Sequence, residues 1–169
     1  MGGAFMDRLI LFRHGKAENE SESGDDFDRR LAPRGVRESV EMGETLARLG
    51  MVPDLALVSP AVRARETWAA ASEAAFPATE LRLEPELYNA DSGTVRHAAE
   101  TAGRARKTVV VVGHNPGLQE LTVRLLMEGS APPALLGRAQ RQFPTAAVAV
   151  FLFDDNGRPA FDGLFFPER

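Results

Sequence analysis

Leu9-Ile10-Leu11-Phe12-Arg13-His14-Gly15 decides the fold. Four apolar residues in an unbroken run read as a strand buried on both faces, the usual pattern in a parallel sheet. The run stops at an arginine and a histidine, so two polar side chains stand at the carboxyl end of the strand. In open α/β sheets ligands bind in the crevice outside those ends. Two other stretches repeat the design. Leu55-Ala56-Leu57-Val58 runs into Ser59-Pro60-Ala61-Val62-Arg63, and Val109-Val110-Val111-Val112 runs into Gly113-His114-Asn115-Pro116. Ser59-Pro60 and Asn115-Pro116 each place a polar capping residue before a proline, which reads as a helix start.

The rest of the chain fills in around these three strands. Pro33 opens a helix with Val36, Val40, Leu46 and Leu49 as its apolar positions, and Gly50 stops it. The alanine-rich stretch from Ser59 to Ala75 is helical in propensity. Leu81 to Leu83 reads as a short strand. Ser92 caps a helix carrying Val95, Ala98, Ala99 and Ala102, ended by Gly103. Leu118, Leu121, Leu125 and Leu126 line the helix that follows Asn115-Pro116, and Pro132-Pro133 reads as a surface loop. Ala146 to Phe153 and Ala160 to Phe165 are strands joined by the tight turn Asp155-Asn156-Gly157. Strands alternating with helices predict an α/β fold, three layers α/β/α, with a mainly parallel central sheet and an antiparallel edge strand. The 169 residues are read as a single domain over 1–169, at about 150 residues per domain, with residues 1–6 as a flexible N-terminal extension outside the fold.

Composition removes several function classes. With 20 basic against 24 acidic residues the net charge is −4, which counts against a nucleic-acid partner. The absence of cysteine removes thiol catalysis, disulfide frameworks and cysteine-ligated zinc. No apolar run reaches the length of a membrane span, and no basic start precedes a long apolar core, so a cytoplasmic protein without a membrane partner is expected.

The three strand ends bring two arginines, two histidines and two helix N-termini to one crevice. That set suits a phosphoryl group. Arginine offers a planar fork of donors that matches phosphate oxygens, and helix N-termini favour anions. A neutral imidazole can attack phosphorus and split one difficult step into two, while a second, protonated imidazole hydrogen-bonds the same group. Read from spacing alone, this anion site stands beside a plainer alternative with structural histidines and solvated arginines.

Several stretches together resemble the histidine phosphatase superfamily, also called phosphoglycerate-mutase-like. Leu11-Phe12-Arg13-His14-Gly15-Lys16 resembles its first signature and Val58-Ser59-Pro60-Ala61-Val62-Arg63-Ala64-Arg65-Glu66-Thr67 its second arginine motif. Val112-Gly113-His114-Asn115-Pro116-Gly117 resembles its second histidine motif, and Leu31-Ala32-Pro33-Arg34-Gly35 the stretch opening its first helix. The likeness spans about residues 8 to 153. Phe143-Pro144-Thr145-Ala146-Ala147 and the short length are most similar to the small bacterial SixA-type phosphohistidine phosphatases. The resemblance implies that His14 is the nucleophile and becomes phosphorylated. It implies that Arg13, Arg63 and His114 hold the phosphoryl group, that a phosphate or sulfate anion fits the site, and that neither metal nor other cofactor takes part. The implied substrate is phosphohistidine in a signalling or phosphotransfer protein. A small-molecule phosphomonoesterase, a mutase of the same fold, and a phosphate-binding regulatory module without turnover are the alternatives.

The general acid is less defined. Larger members carry a glutamate after the third strand. Here that region reads Glu84-Pro85-Glu86-Leu87-Tyr88-Asn89-Ala90-Asp91, with Glu86 as candidate, Asp91 as alternative, and solvated loop acids as the third reading. His97 reads as a structural residue on a partly buried helix face. Six acids between Glu18 and Asp28 follow the nucleophile, either as a solvated run or as a rim that selects a basic protein surface.

Overall fold

The computed structural model describes residues 6–169. Its elements are β1 (Arg8–Arg13), α1 (Pro33–Arg48), β2 (Leu55–Val58), α2 (Val62–Ala75), β3 (Glu80–Leu83), α3 (Ser92–Gly103), β4 (Thr108–Gly113), α4 (Gly117–Glu128), α5 (Pro133–Arg141), β5 (Val148–Phe153) and β6 (Pro159–Phe165). Single 3₁₀ turns lie at Asp26–Asp28 and Pro85–Leu87. One six-stranded sheet has the order β3-β2-β4-β1-β5-β6. β1 to β4 are mutually parallel, and β5 runs antiparallel to both β1 and β6. The reversed strand is therefore β5, one place in from the edge, because the tight hairpin turn forces β6 to return outside it.

Alternation along the strands builds two cores. Leu9, Leu11, Leu55, Leu57, Val109 and Val111 point to the face covered by α3, α4 and α5. Ile10, Phe12, Ala56, Val58, Val110 and Val112 point to the face covered by α1 and α2. A run apolar at every position is what a sheet covered on both sides requires. Among the described residues no helix is long and apolar enough to cross a membrane.

Strand register positions the site. Arg13 pairs with Gly113 across β1 and β4, and Val58 pairs with Val112 across β2 and β4. The residues that follow, His14, Ser59 and His114, therefore leave the sheet at nearly one level.

Four expectations change. Residues 1–5 of the predicted flexible extension lie outside the described residues, and Met6 is in the core, only 3% exposed, packed against α3 beside Gly103. Pro132-Pro133 is not a loop but the start of α5. Pro133 takes the first helical position, where its missing N–H costs nothing. On α1 the buried side is Gly35, Glu38, Ser39, Met42, Gly43 and Leu46, whereas Val36 and Val40 are exposed. Close approach decides that face. A Cβ at Gly35 would stand 2.1 Å from the Lys16 carbonyl oxygen, and one at Gly43 would stand 2.3 Å from that of Ala71. The helix thus rests on the loop after β1 and on α2 through small residues, with Met42 and Leu46 filling the core beside them and Val36 and Val40 left outside. The fourth change concerns caps. α3 is capped by Asp91, whose Oδ1 accepts from the Thr94 N–H at 2.8 Å, while Ser92 is buried behind it. α2 begins at Val62 without a side-chain cap, which leaves the Ser59 hydroxyl for another task.

Candidate active site

His14 is fixed by its own backbone before its side chain is considered. Its N–H donates to the Gly113 carbonyl and its carbonyl accepts from the Ala146 N–H, both at 3.0 Å. Nδ1 lies 2.8 Å from the Gly15 carbonyl oxygen. A carbonyl can only accept, so Nδ1 carries the proton and Nε2 of the neutral ring keeps its lone pair. Burial first, then the guanidinium groups of Arg63, Arg13 and Arg29, lower the pKa of His14 to about 4 against the Gly15 contact. The ring is neutral at pH 7, the state a nucleophile needs.

The Gly15 peptide is held in turn. Its N–H donates to the Thr67 hydroxyl at 2.9 Å, and that hydroxyl donates to the Arg63 carbonyl at 2.7 Å. One buried threonine thus ties the loop after His14 to the helix bearing Arg63.

His114 faces His14 with ring centroids 5.3 Å apart. Its Nε2 lies 2.8 Å from the Ser59 hydroxyl, which explains why that serine is not a cap. Burial, then His14 and Arg63, lower its pKa to about 3. Both histidines are therefore neutral in the free protein. The protonated second imidazole expected from sequence requires an incoming dianion to favour the charge.

Arg13 donates through Nη1 to the Phe143 carbonyl at 2.8 Å. Arg63 donates through Nη1 to the Asp26 carbonyl at 2.8 Å and through Nη2 to the Asp26 carboxylate at 3.0 Å. Among the described residues five buried side-chain polar atoms lack a hydrogen bond: Arg13 Nε, Arg63 Nε, His114 Nδ1, Arg8 Nε and Asp162 Oδ2. The last two face each other as an ion pair at 3.5 Å. The three that remain all belong to this cluster. Buried polar groups are normally satisfied, and leaving one unpaired costs about 1–3 kcal/mol, so three orphans in one place mark a site built for an absent partner.

The cavity at these residues measures about 420 Å³, and Lys16, Arg29, Asn89, Asn115 and Thr145 also line it. Asp26 is its one acidic lining residue. The Asp26 carboxylate accepts from the Tyr88 hydroxyl at 2.6 Å and from Arg29 Nε at 2.9 Å, besides Arg63. Those contacts, Tyr88 foremost, lower its pKa to about 2. The acidic run after His14 does reach the site, through Asp26. Among the described residues no group of three or more His, Asp or Glu is gathered as a metal ion would need.

A profile of the histidine phosphatase superfamily (branch 1) matches residues 9–107. The chain belongs to the histidine phosphatase superfamily. An uncharacterized protein of Mycobacterium tuberculosis is 38% identical over 125 residues, 74% of this chain and 77% of that one. One of Mycobacterium leprae is 34% identical over 125 residues, 74% of each chain. Among solved structures, the SixA protein of Agrobacterium tumefaciens superposes with a TM-score of 0.84 at 30% identity, covering 96% of this chain and 99% of its own. The protein histidine phosphatase SixA complexed with tungstate superposes at 0.75 and 25% identity, covering 94% and 96%.

Against this histidine phosphatase frame, the structure brings together Arg13, His14, Arg63 and His114 and leaves the acid candidates apart. Glu86 is exposed on the turn Pro85–Leu87 and does not line the cavity. Asp91 is engaged as the cap of α3. His97 is exposed, because the buried stripe of α3 runs through Val95, Ala98 and Ala99 and passes it by. Sequence reasoning missed the site contacts of Asp26, Tyr88, Ser59 and Thr67. Asp26 is one of six acids in its run, and nothing in the run marks it. Ser59 and Thr67 lay inside a quoted motif, but their partners are 55 and 52 residues away.

Proposed function

We propose that this protein is a phosphatase that takes a phosphoryl group from phosphohistidine in a protein through a phosphohistidine intermediate on His14, without a metal ion. The observation that carries the reading is the His14 tautomer. Its Nδ1–H is committed to Gly15, and its Nε2 lone pair makes no hydrogen bond among the described residues, beside two arginines and a second histidine. In the first step Nε2 forms a bond to phosphorus as the substrate P–N bond breaks, and the substrate ring, protonated on its other nitrogen, takes the electron pair and leaves as neutral imidazole. In the second step water attacks the same phosphorus, His14 leaves with its electron pair, and the water proton departs with the medium. Arg13, Arg63 and His114 contact the phosphoryl oxygens in both steps, where charge accumulates.

The substrate class follows from the acids. An alkyl phosphate leaves as an alkoxide and needs a positioned proton donor, worth about 10²–10⁴-fold. Among the described residues the one acid lining the cavity, Asp26, is held ionised by its pKa of about 2, and Glu86 is exposed elsewhere. An imidazole leaving group depends least on such a donor. The test is kcat/KM on a phosphohistidine protein, an aryl phosphate and an alkyl phosphate, for the parent and for Glu86→Gln. The expected order is phosphohistidine, aryl, alkyl, with Glu86→Gln close to the parent on all three. A parent that prefers the alkyl phosphate, and loses that preference in Glu86→Gln, would make this a small-molecule phosphomonoesterase.

A further inference from the structure

A second cavity, of about 510 Å³, opens beside the first and shares Arg13 and Asn115 with it. The strap Phe143-Pro144-Thr145 stands between them. Thr145 lines the reaction cavity, while Phe143 and Pro144 line the neighbour. The strap is pinned at the Phe143 carbonyl, which accepts from Arg13 Nη1 at 2.8 Å and Asn115 Nδ2 at 3.1 Å.

The lining of the second cavity is lopsided in charge. Among the described residues it contains Arg13, Arg141 and Arg169, the amides of Asn115, Gln119 and Gln142, and no acid. This occurs in a chain whose net charge is −4. Arg169 is fixed by Glu38 at 2.9 and 3.1 Å and by the Thr145 hydroxyl at 3.1 Å. Neither Arg13 nor Arg141 has a carboxylate partner among the described residues, and Arg13 Nε is one of the buried orphans. Arg141 ends α5, where a cation suits the helix dipole; it is exposed at the cavity, and its Nη1 lies back along the helix, 3.0 Å from where a Cβ at Gly137 would stand. Arg13 and Arg141, which lack a carboxylate partner, are repelled by each other and by Arg169 until an anion joins them, and guanidinium forks match a carboxylate.

We infer that this second cavity is a subsite for a carboxylate carried by the substrate next to its phosphoryl group, with Arg141 as the residue that grips it and Arg169 as the fixed neighbour. Under the phosphohistidine reading proposed above, on which the choice of carrier rests, that carboxylate is an acidic side chain flanking the phosphohistidine. The acid-rich loop 18–28 lies on the other side of the reaction cavity, around Asp26 and Arg29. A substrate segment therefore meets opposite charge signs on its two sides, which fixes its direction as well as its affinity.

The test separates the subsite from turnover. Calorimetry compares binding of phenylphosphonate with that of 3- and 4-carboxyphenylphosphonate, for the parent, Arg141→Gln and Arg141→Lys. The parent should bind one of the carboxylated compounds about 2- to 5-fold more tightly, as a partly exposed charge-assisted contact provides. Arg141→Gln should lose that advantage while keeping its affinity for phenylphosphonate, and Arg141→Lys should keep part of it. Equal binding of all three compounds by the parent overturns the subsite. A second arm compares turnover of phosphohistidine peptides with Glu or Gln beside the phosphorylated residue. A carboxylate advantage among the phosphonates without a Glu advantage among the peptides overturns the flanking-residue assignment. Absence of any turnover, with the phosphonate advantage intact, counts against the phosphatase reading and leaves the subsite standing.

Discussion

Thr67→Val isolates the contact that ties the His14 loop to the helix bearing Arg63. The Thr67 side chain is fully buried, accepts from the Gly15 N–H at 2.9 Å and donates to the Arg63 carbonyl at 2.7 Å. Valine keeps the shape and removes both bonds. The Arg63 carbonyl stays inside the helical ladder of α2, so its loss is slight. The Gly15 N–H, however, is left buried without an acceptor, which costs about 1–3 kcal/mol. For a chain of this length each kcal/mol moves the melting temperature by about 2–4 °C, so Tm should fall by about 2–12 °C. Activity should fall further than stability accounts for. The Gly15 carbonyl fixes the His14 tautomer, and a misplacement of about 1 Å can cost 10²-fold, so kcat/KM on an aryl phosphate should drop about 10- to 100-fold. Thr67→Ser restores the acceptor and should recover most of both losses. Thermal denaturation and phosphate release measure the two effects on the same preparations. A Thr67→Val protein that melts within about 1 °C of the parent and keeps more than half its turnover would refute the coupling of Thr67 to His14.

His14→Ala should abolish phosphate release, whereas His114→Ala should leave a residue about 10²–10³-fold below the parent, since a donor only stabilises charge. A folded His97→Ala protein as inactive as His14→Ala would show the site to be elsewhere. The pH profile of kcat/KM reports the free protein, so with His14 at about 4 and His114 at about 3 the rate should hold from neutral pH to about pH 5 and decline as pH approaches 4; an acid limb near the ordinary histidine value of about 6.5 would contradict these environments. The same lowered values make the unfolded chain the stronger proton binder between the unfolded and folded pKa values. The stability that depends on neutral histidines is therefore complete above about pH 6.5 and lost as pH falls toward 4 and 3, which urea titrations across that window should show. Asp26→Asn removes the carboxylate now seated on Arg63, so inorganic phosphate should bind about 2- to 5-fold more tightly, the range for a partly exposed pair; weaker phosphate binding in that variant would mean that Asp26 supports the anion site rather than competes for it.

What could be read from the sequence was whatever local chemistry enforces. A run such as Val109 to Val112 has no stable place except inside a covered sheet, and a polar residue directly after it must leave at the strand end. Arg13, His14 and His114 were therefore legible, and so was Arg63, because it begins the helix that leaves β2. The helices with a dominant apolar stripe, such as Leu118, Leu121, Leu125 and Leu126 on α4, came out facing the core. Tertiary structure decided the rest, for reasons of contact rather than propensity. α1 turned Val36 and Val40 outward because Gly35 and Gly43 permit backbone approach that no larger side chain would allow. Asp26, and not Glu86, became the acid of the cavity because the loop after β1 folds back to Arg63 and Tyr88, residues 37 and 62 positions away. Ser59 serves His114 instead of a helix end because strand register, not sequence spacing, puts β2 and β4 side by side. The sequence specified which groups can do the chemistry; the packing of distant segments set their proton states and their partners.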